Sequence, residues 1–159
     1  MGRWLWFARA RLLPCWPLPR WPTRPTPRAP PSADEAALLE LANAHRKAAG
    51  LPALRTNPKL MEAARGHATN MAKKDNASLL DGRDVGGLAK AAGYRYRTVY
   101  GLPADGPETP KAAVGEWLED STSRRHLNAK FLVDAGVGVA TNAKGVRYWY
   151  LVLAEPADD

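Results

Sequence analysis

The sequence predicts an α+β domain in which helices cover a small central antiparallel sheet on both sides. Three observations carry this. Apolar residues recur at spacings of three and four between Ser32 and Lys74, and again after Thr109, the period of a helix with one buried face. Near the end of the chain the pattern turns to β, with a short segment at 136–141, the turn Asn142-Ala143-Lys144-Gly145, and a longer segment at 146–154. Within the longer segment Tyr148-Trp149-Tyr150-Leu151-Val152-Leu153 is apolar throughout, as expected of a strand covered on both faces.

Each element has a local reason. Ser32-Ala33-Asp34-Glu35 is a capping box, in which the hydroxyl accepts a backbone N–H and Glu35 reaches back to the cap. The first helix then runs to about Ala49, with Leu38, Leu41, Ala42 and His45 on one face and Gly50 as its stop. Leu51-Pro52-Ala53-Leu54 links it to a second helix, opened by Asn57 as cap and Pro58 in the first turn. Leu60, Ala63, Ala64, His67, Ala68 and Met71 form its buried stripe, and it ends near Lys74. Residues 75–84 are polar, with Asp81-Gly82 as the strongest breaker. A short helix follows at 85–92. Residues 94–100 alternate aromatics or valine with arginine and threonine and read as extended, whereas 101–108 reads as a loop. Thr109-Pro110 opens a helix bearing Val114, Trp117 and Leu118, and the Ser/Thr/Arg stretch 121–125 breaks it. Glycine inside the β pattern at Val137-Gly138 marks close packing.

The beginning of the chain is different in kind. Residues 1–33 hold eight of the fourteen prolines, four of the six tryptophans, the single cysteine, six arginines and no acid. The net charge of +7 therefore belongs to this leader, because from Asp34 onward 17 Lys/Arg face 16 Asp/Glu. A near-neutral folded part argues against a nucleic-acid-binding domain. Arg9 and Arg11 split the leader's apolar residues, and the prolines from Pro14 to Pro31 favour an extended chain. It reads as a degenerate export signal or an extension without a role, and its Arg/Trp content would suit weak contact with an anionic membrane surface. No apolar run approaches the roughly 18 residues of a spanning helix. The expected organisation is a leader at 1–33, a domain at 34–155 and an acidic tail at 156–159. Cys15 stands alone, which excludes an internal disulfide without fixing the compartment.

Few residues suggest chemistry. His45 and His67 sit on apolar helix stripes and read as packing histidines. His126 falls in an expected loop, where function concentrates. Glu116, Glu119 and Asp120 lie at helical spacing, and carboxylates so placed hold a cation, act as a base, or simply face solvent. The serines lack a nucleophile-elbow context, and the glycines form no phosphate loop.

In order and spacing, several segments resemble bacterial CAP domains, the superfamily of cysteine-rich secretory proteins, antigen 5 and pathogenesis-related proteins, also called SCP domains. They are Asn43-Ala44-His45-Arg46 through Leu54, Asn57-Pro58-Lys59-Leu60, His67-Ala68-Thr69-Asn70-Met71-Ala72, Ala92-Gly93-Tyr94, Thr109-Pro110 with Trp117-Leu118, Phe131, Gly136-Val137-Gly138-Val139-Ala140, and Tyr148-Trp149 to Leu153. The resemblance covers about residues 34–154. It implies a three-layer α-β-α sandwich, export to the cell envelope or exterior, and mostly non-enzymatic binding of lipids or other partners. It also implies a cavity with two histidines and two acids that can bind zinc. Carried over residue by residue, that set is incomplete. Leu79 stands where the first histidine is expected, and Tyr100-Gly101-Leu102 replaces the segment bearing the first acid. Glu119 or Asp120 would supply the second acid. The second histidine follows a serine by three, with arginine after it; Ser121 plus three is Arg124, and His126 is two further on in a loop that reads as shortened.

Zinc needs three or four convergent ligands, and His126 with one acid would hold it weakly. The expectation is therefore a non-catalytic module without a resident cofactor. It would bind an apolar small molecule, a lipid or a protein in a groove between 78–84, 101–108 and 121–126, with Leu79, Gly101, Leu102, Glu119, Asp120, Arg124 and His126 as pocket residues. The alternative is a metal-dependent hydrolase or protease with rearranged ligands, in which His126 and a carboxylate converge with His45 or His67.

Overall fold

The computed structural model describes residues 29–77 and 84–158. The leader up to residue 28, most of the loop at 78–84 and Asp159 lie outside the described residues, and with them the expectations placed on the leader. The elements run α1 (Ala33–Ala48), β1 (Arg55–Thr56), α2 (Pro58–Lys74), α3 (Val85–Ala91), β2 (Tyr96–Asp105), α4 (Pro110–Glu119), α5 (Ser121–Leu127), β3 (Asp134–Thr141) and β4 (Arg147–Pro156).

The capped helices form for the reasons the sequence offers. The Ser32 N–H donates to the Glu35 carboxylate at 2.8 Å while the Ser32 hydroxyl accepts from the Glu35 N–H at 3.3 Å. Asn57 caps α2 by accepting the Lys59 N–H at 3.0 Å, and all six residues of the expected α2 stripe are buried. On α1 the stripe is shifted. Leu38 and Ala42 are buried, Leu41 and His45 are half-buried, and Glu35 and Arg46 lie inside. Both charged residues have compensating partners. Arg65 pairs with the Glu35 carboxylate at 2.7 Å; burial pushes the Glu35 carboxyl up, and its bonds to Arg65 and Ser32 outweigh this and hold it below its ordinary value. Arg46 is treated below.

The strand order is β1-β3-β4-β2. β4 is the spine, antiparallel to β3 on one side and to β2 on the other, while the two-residue β1 pairs parallel to β3. The sheet is therefore mixed, not purely antiparallel as expected. A second correction concerns residues 101–105, which continue β2 instead of forming a loop. The edge of β4 pairs residue by residue with Gly101 through Asp105, and Leu102 and Ala104 point into the core. Pro103 is tolerated because β2 is an edge strand.

Strand β4 separates two apolar cores by its alternation. Trp149, Leu151 and Leu153 pack with Leu38 and Ala42 of α1, Trp117 of α4 and Leu127 of α5. Tyr148, Tyr150, Val152 and Ala154 pack with Leu60, Ala64, Ala68 and Met71 of α2 and Ala89 of α3. Helices α1, α4 and α5 thus cover one face and α2 and α3 the other, which is a three-layer α-β-α sandwich. Helix α2 lies unusually close to β3. A Cβ on Gly136 would fall within the backbone at Leu60, and one on Gly138 within the backbone at Ala64.

This contact separates two otherwise similar substitutions. Gly138→Ala should cost about 1–3 kcal/mol or more, because backbone and not a side-chain tip must move. Gly66→Ala, mid-helix on α2 with open space around its Cβ, should stabilise by roughly 0.5–1 kcal/mol. Urea unfolding of the two variants measures both signs.

Candidate functional site

The expected pocket residues divide between the two faces of β2. Leu102 faces the α1/α4/α5 layer and is 1% exposed, inside that core. Gly101 faces the other way, where its missing side chain makes room for the Tyr150 hydroxyl. Burial in that second core pushes the Tyr150 phenol up to about 12. Leu79 lies outside the described residues.

On the Leu102 side the site is built by α4 and α5. Thr109 caps α4 by accepting the Ala112 N–H, and the Trp117 indole donates to Pro103 O at 2.9 Å, tying α4 to β2. The stretch 121–125 does not merely break that helix. Asp120 ends α4 and caps α5, its carboxylate accepting the Ser123 N–H at 2.7 Å. That bond holds the Asp120 carboxyl below its ordinary value. Arg124 donates to Leu118 O at 2.9 Å and so folds back over the end of α4. Glu119 is exposed at that end. Glu116 is also exposed, and its carboxyl is raised by burial and by the neighbouring charges of Asp105 and Glu119.

His126 stands in the last turn of α5, not in a loop as expected. Its ring stacks on Tyr100 of β2, with centroids 3.9 Å apart and planes 12° from parallel. Burial lowers its pKa, Arg125 lowers it further, and Asp120 acts weakly the other way. The structure thus brings His126, Arg124 and Asp120 onto one short helix whose last turn leans on β2.

The other two histidines do not join them. His45 Nε2 donates to the Asn128 side-chain oxygen at 2.8 Å, just beyond α5. His67 is buried in the opposite layer, its ring centroid 4.2 Å from that of Tyr150, beside a hollow of about 210 Å³ between α2 and α3. Among the described residues, no three His, Cys, Asp or Glu side chains are gathered as a metal site. Sequence reasoning missed Tyr100 and Tyr150. The alternation Tyr100, Leu102, Ala104 was the available signal, obscured by Gly101 and Pro103, which read as loop.

A match to the cysteine-rich secretory protein family, CAP, spans residues 39–153. The chain belongs to this family. The CAP domain here is 31% identical over 121 residues to the uncharacterized protein YkwD of Bacillus subtilis (strain 168), covering 73% of the chain. The chain spans 47% of that relative's length. The fold is similar to an outer surface protein of Borrelia burgdorferi, with a TM-score of 0.73 at 15% identity over 78% of this chain and 93% of that one. It is also similar to an extracellular SCP-domain protein of Bacillus anthracis str. Ames, with a TM-score of 0.68 at 18% identity over 77% of this chain and 40% of that one. No helix among the described residues of this CAP domain is long and apolar enough to cross a membrane.

Gly101 and Tyr150 should be strongly coupled. Gly101→Ala is expected to destabilise by roughly 1–3 kcal/mol through the Tyr150 hydroxyl and the ring carbon that bears it, and Tyr150→Phe in the same chain should recover the hydroxyl's part of that loss. A double-mutant cycle by chemical unfolding reads the coupling; additive losses would mean that the hydroxyl is not the obstacle.

Proposed function

We propose that this CAP domain is a non-catalytic binding module of the cell envelope or exterior, taking an apolar or mixed ligand at the face where α5 meets β2. The observation that carries this reading is the flat stack of His126 on Tyr100, both half-buried and so partly accessible at that face. This part of the face is aromatic and apolar where the family resemblance implies a charged set. An aromatic and apolar lining with a few polar groups suits an organic ligand better than a bare cation.

Helix capping favours the same reading. Aspartate and serine are interchangeable as N-caps. With Asp120 capping α5, the family's spacing of three places Ser123 at the second histidine's position, with Arg124 following as the pattern requires. His126 then serves as a packing side chain, Asp120 stands at the pattern's serine, and α5 itself carries neither the acid nor the histidine of the set. An organised nucleophile and base would be needed for hydrolysis, and the Asp120 carboxylate is already engaged in the cap.

A thermal-shift screen of the full chain against fatty acids, sterols and short peptides tests this. At least one class should raise the melting temperature, and Tyr100→Ser should weaken that ligand about ten-fold while leaving the fold intact. Micromolar zinc binding that disappears in His126→Ala, with no organic ligand found, would instead support the metal-dependent alternative.

A further inference from the structure

We infer that the folded domain carries its own docking surface for an anionic lipid bilayer, at the end where the last turn of α1 meets the segment after α5. It does not use the pocket proposed above. Near-neutral total charge conceals a strong segregation. Residues 41–61 and 121–133 contain no acid. The two stretches are brought together by Arg46, which donates to Pro52 O in one and to Leu127, Ala129 and Leu132 O in the other, and by the bond between His45 and Asn128. Their other cations, Lys47, Arg55, Lys59, Arg124, Arg125 and Lys130, are exposed, and Lys130 adjoins Ala129, whose carbonyl Arg46 holds.

An apolar anchor stands among them. Phe131 is 48% exposed, the one large hydrophobic side chain so exposed among the described residues. Pro52 and Ala53, exposed in the neighbouring loop, extend the apolar surface beside it. Cations alone would suit any polyanion. An exposed aromatic in an acid-free, cation-bearing stretch matches the layered chemistry of a bilayer interface, where charged headgroups lie above acyl chains. A polyanion without bases, such as a sulfated sugar or a polyphosphate, gives Phe131 nothing to enter, and a near-neutral folded part argues against a nucleic acid. The leader, though basic, is a separate part of the chain, so the test must distinguish the two.

The full chain is mixed with vesicles of phosphatidylcholine containing about a third phosphatidylglycerol, and with phosphatidylcholine vesicles alone. Binding is read by co-sedimentation and located by amide hydrogen exchange. Binding to the anionic vesicles is expected, with exchange slowed at 47–53 and 125–131. Lys130→Gln and Arg125→Gln should each lower the partition about five-fold, the weight of one cation near such a surface. Phe131→Ser should lower it independently of salt. The inference is overturned if the chain does not bind, or if slowing is confined to residues 1–28. It is also overturned if the glutamine variants weaken binding while Phe131→Ser does not, the result expected of a general polyanion surface.

Discussion

A single buried guanidinium holds the site-bearing half of this domain in place. Arg46 is fully buried, and it donates to four main-chain carbonyls, those of Pro52, Leu127, Ala129 and Leu132, at 2.7–3.1 Å. Burial pushes its pKa down, yet an arginine stays charged inside a protein. Burying that charge costs several kcal/mol, which the four bonds, at about 1.5–3 kcal/mol each, offset. A lysine could not span the same carbonyls, since it lacks the planar fork of donors.

The consequences spread from there. Three of the bonded carbonyls, those of Leu127, Ala129 and Leu132, run from the last residue of α5 to just before β3, so Arg46 sets both the seat of α5 on the core and the point where the chain enters the sheet. Leu127 and Leu132, whose carbonyls it holds, are themselves fully buried in the core of α1, α4 and α5. The last turn of α5 then presses His126 against Tyr100. On the opposite face Gly136 and Gly138 do the complementary work by admitting α2 against β3. Together these contacts fix the two outer layers relative to the central strand, and the candidate face is the place where one of those layers meets the edge strand.

Much of this was legible because the signals were local. The caps at Ser32, Asn57 and Thr109 and the stripe on α2 depend on neighbours within a turn, and the apolar run of β4 already shows that it lies between two layers. What the sequence hid depends on distant partners. Gly101-Leu102-Pro103 reads as a loop and becomes strand because the edge of β4 needs a partner. Ser121 to His126 offers almost no apolar stripe, and it becomes a helix because Asp120 caps it and Leu127 anchors it. Arg46 is not among the residues on the apolar face read for the first helix, and only the carbonyls brought in from about eighty residues away explain its burial. The candidate site was half visible for the same reason. Leu79 and Gly101 could be read as replacements by resemblance, whereas the stack of His126 on Tyr100 required both the extended β2 and the unexpected α5.

The central claim is that His126 is a half-buried ring packed on Tyr100, not a fully solvated or metal-holding one. Proton-detected NMR of the imidazole as pH is varied measures this directly. The account predicts a single titration with a midpoint below the ordinary histidine value of 6.5, because burial and then Arg125 disfavour the charged ring. A midpoint at or above 6.5 would place the ring in water or beside an acid and contradict it.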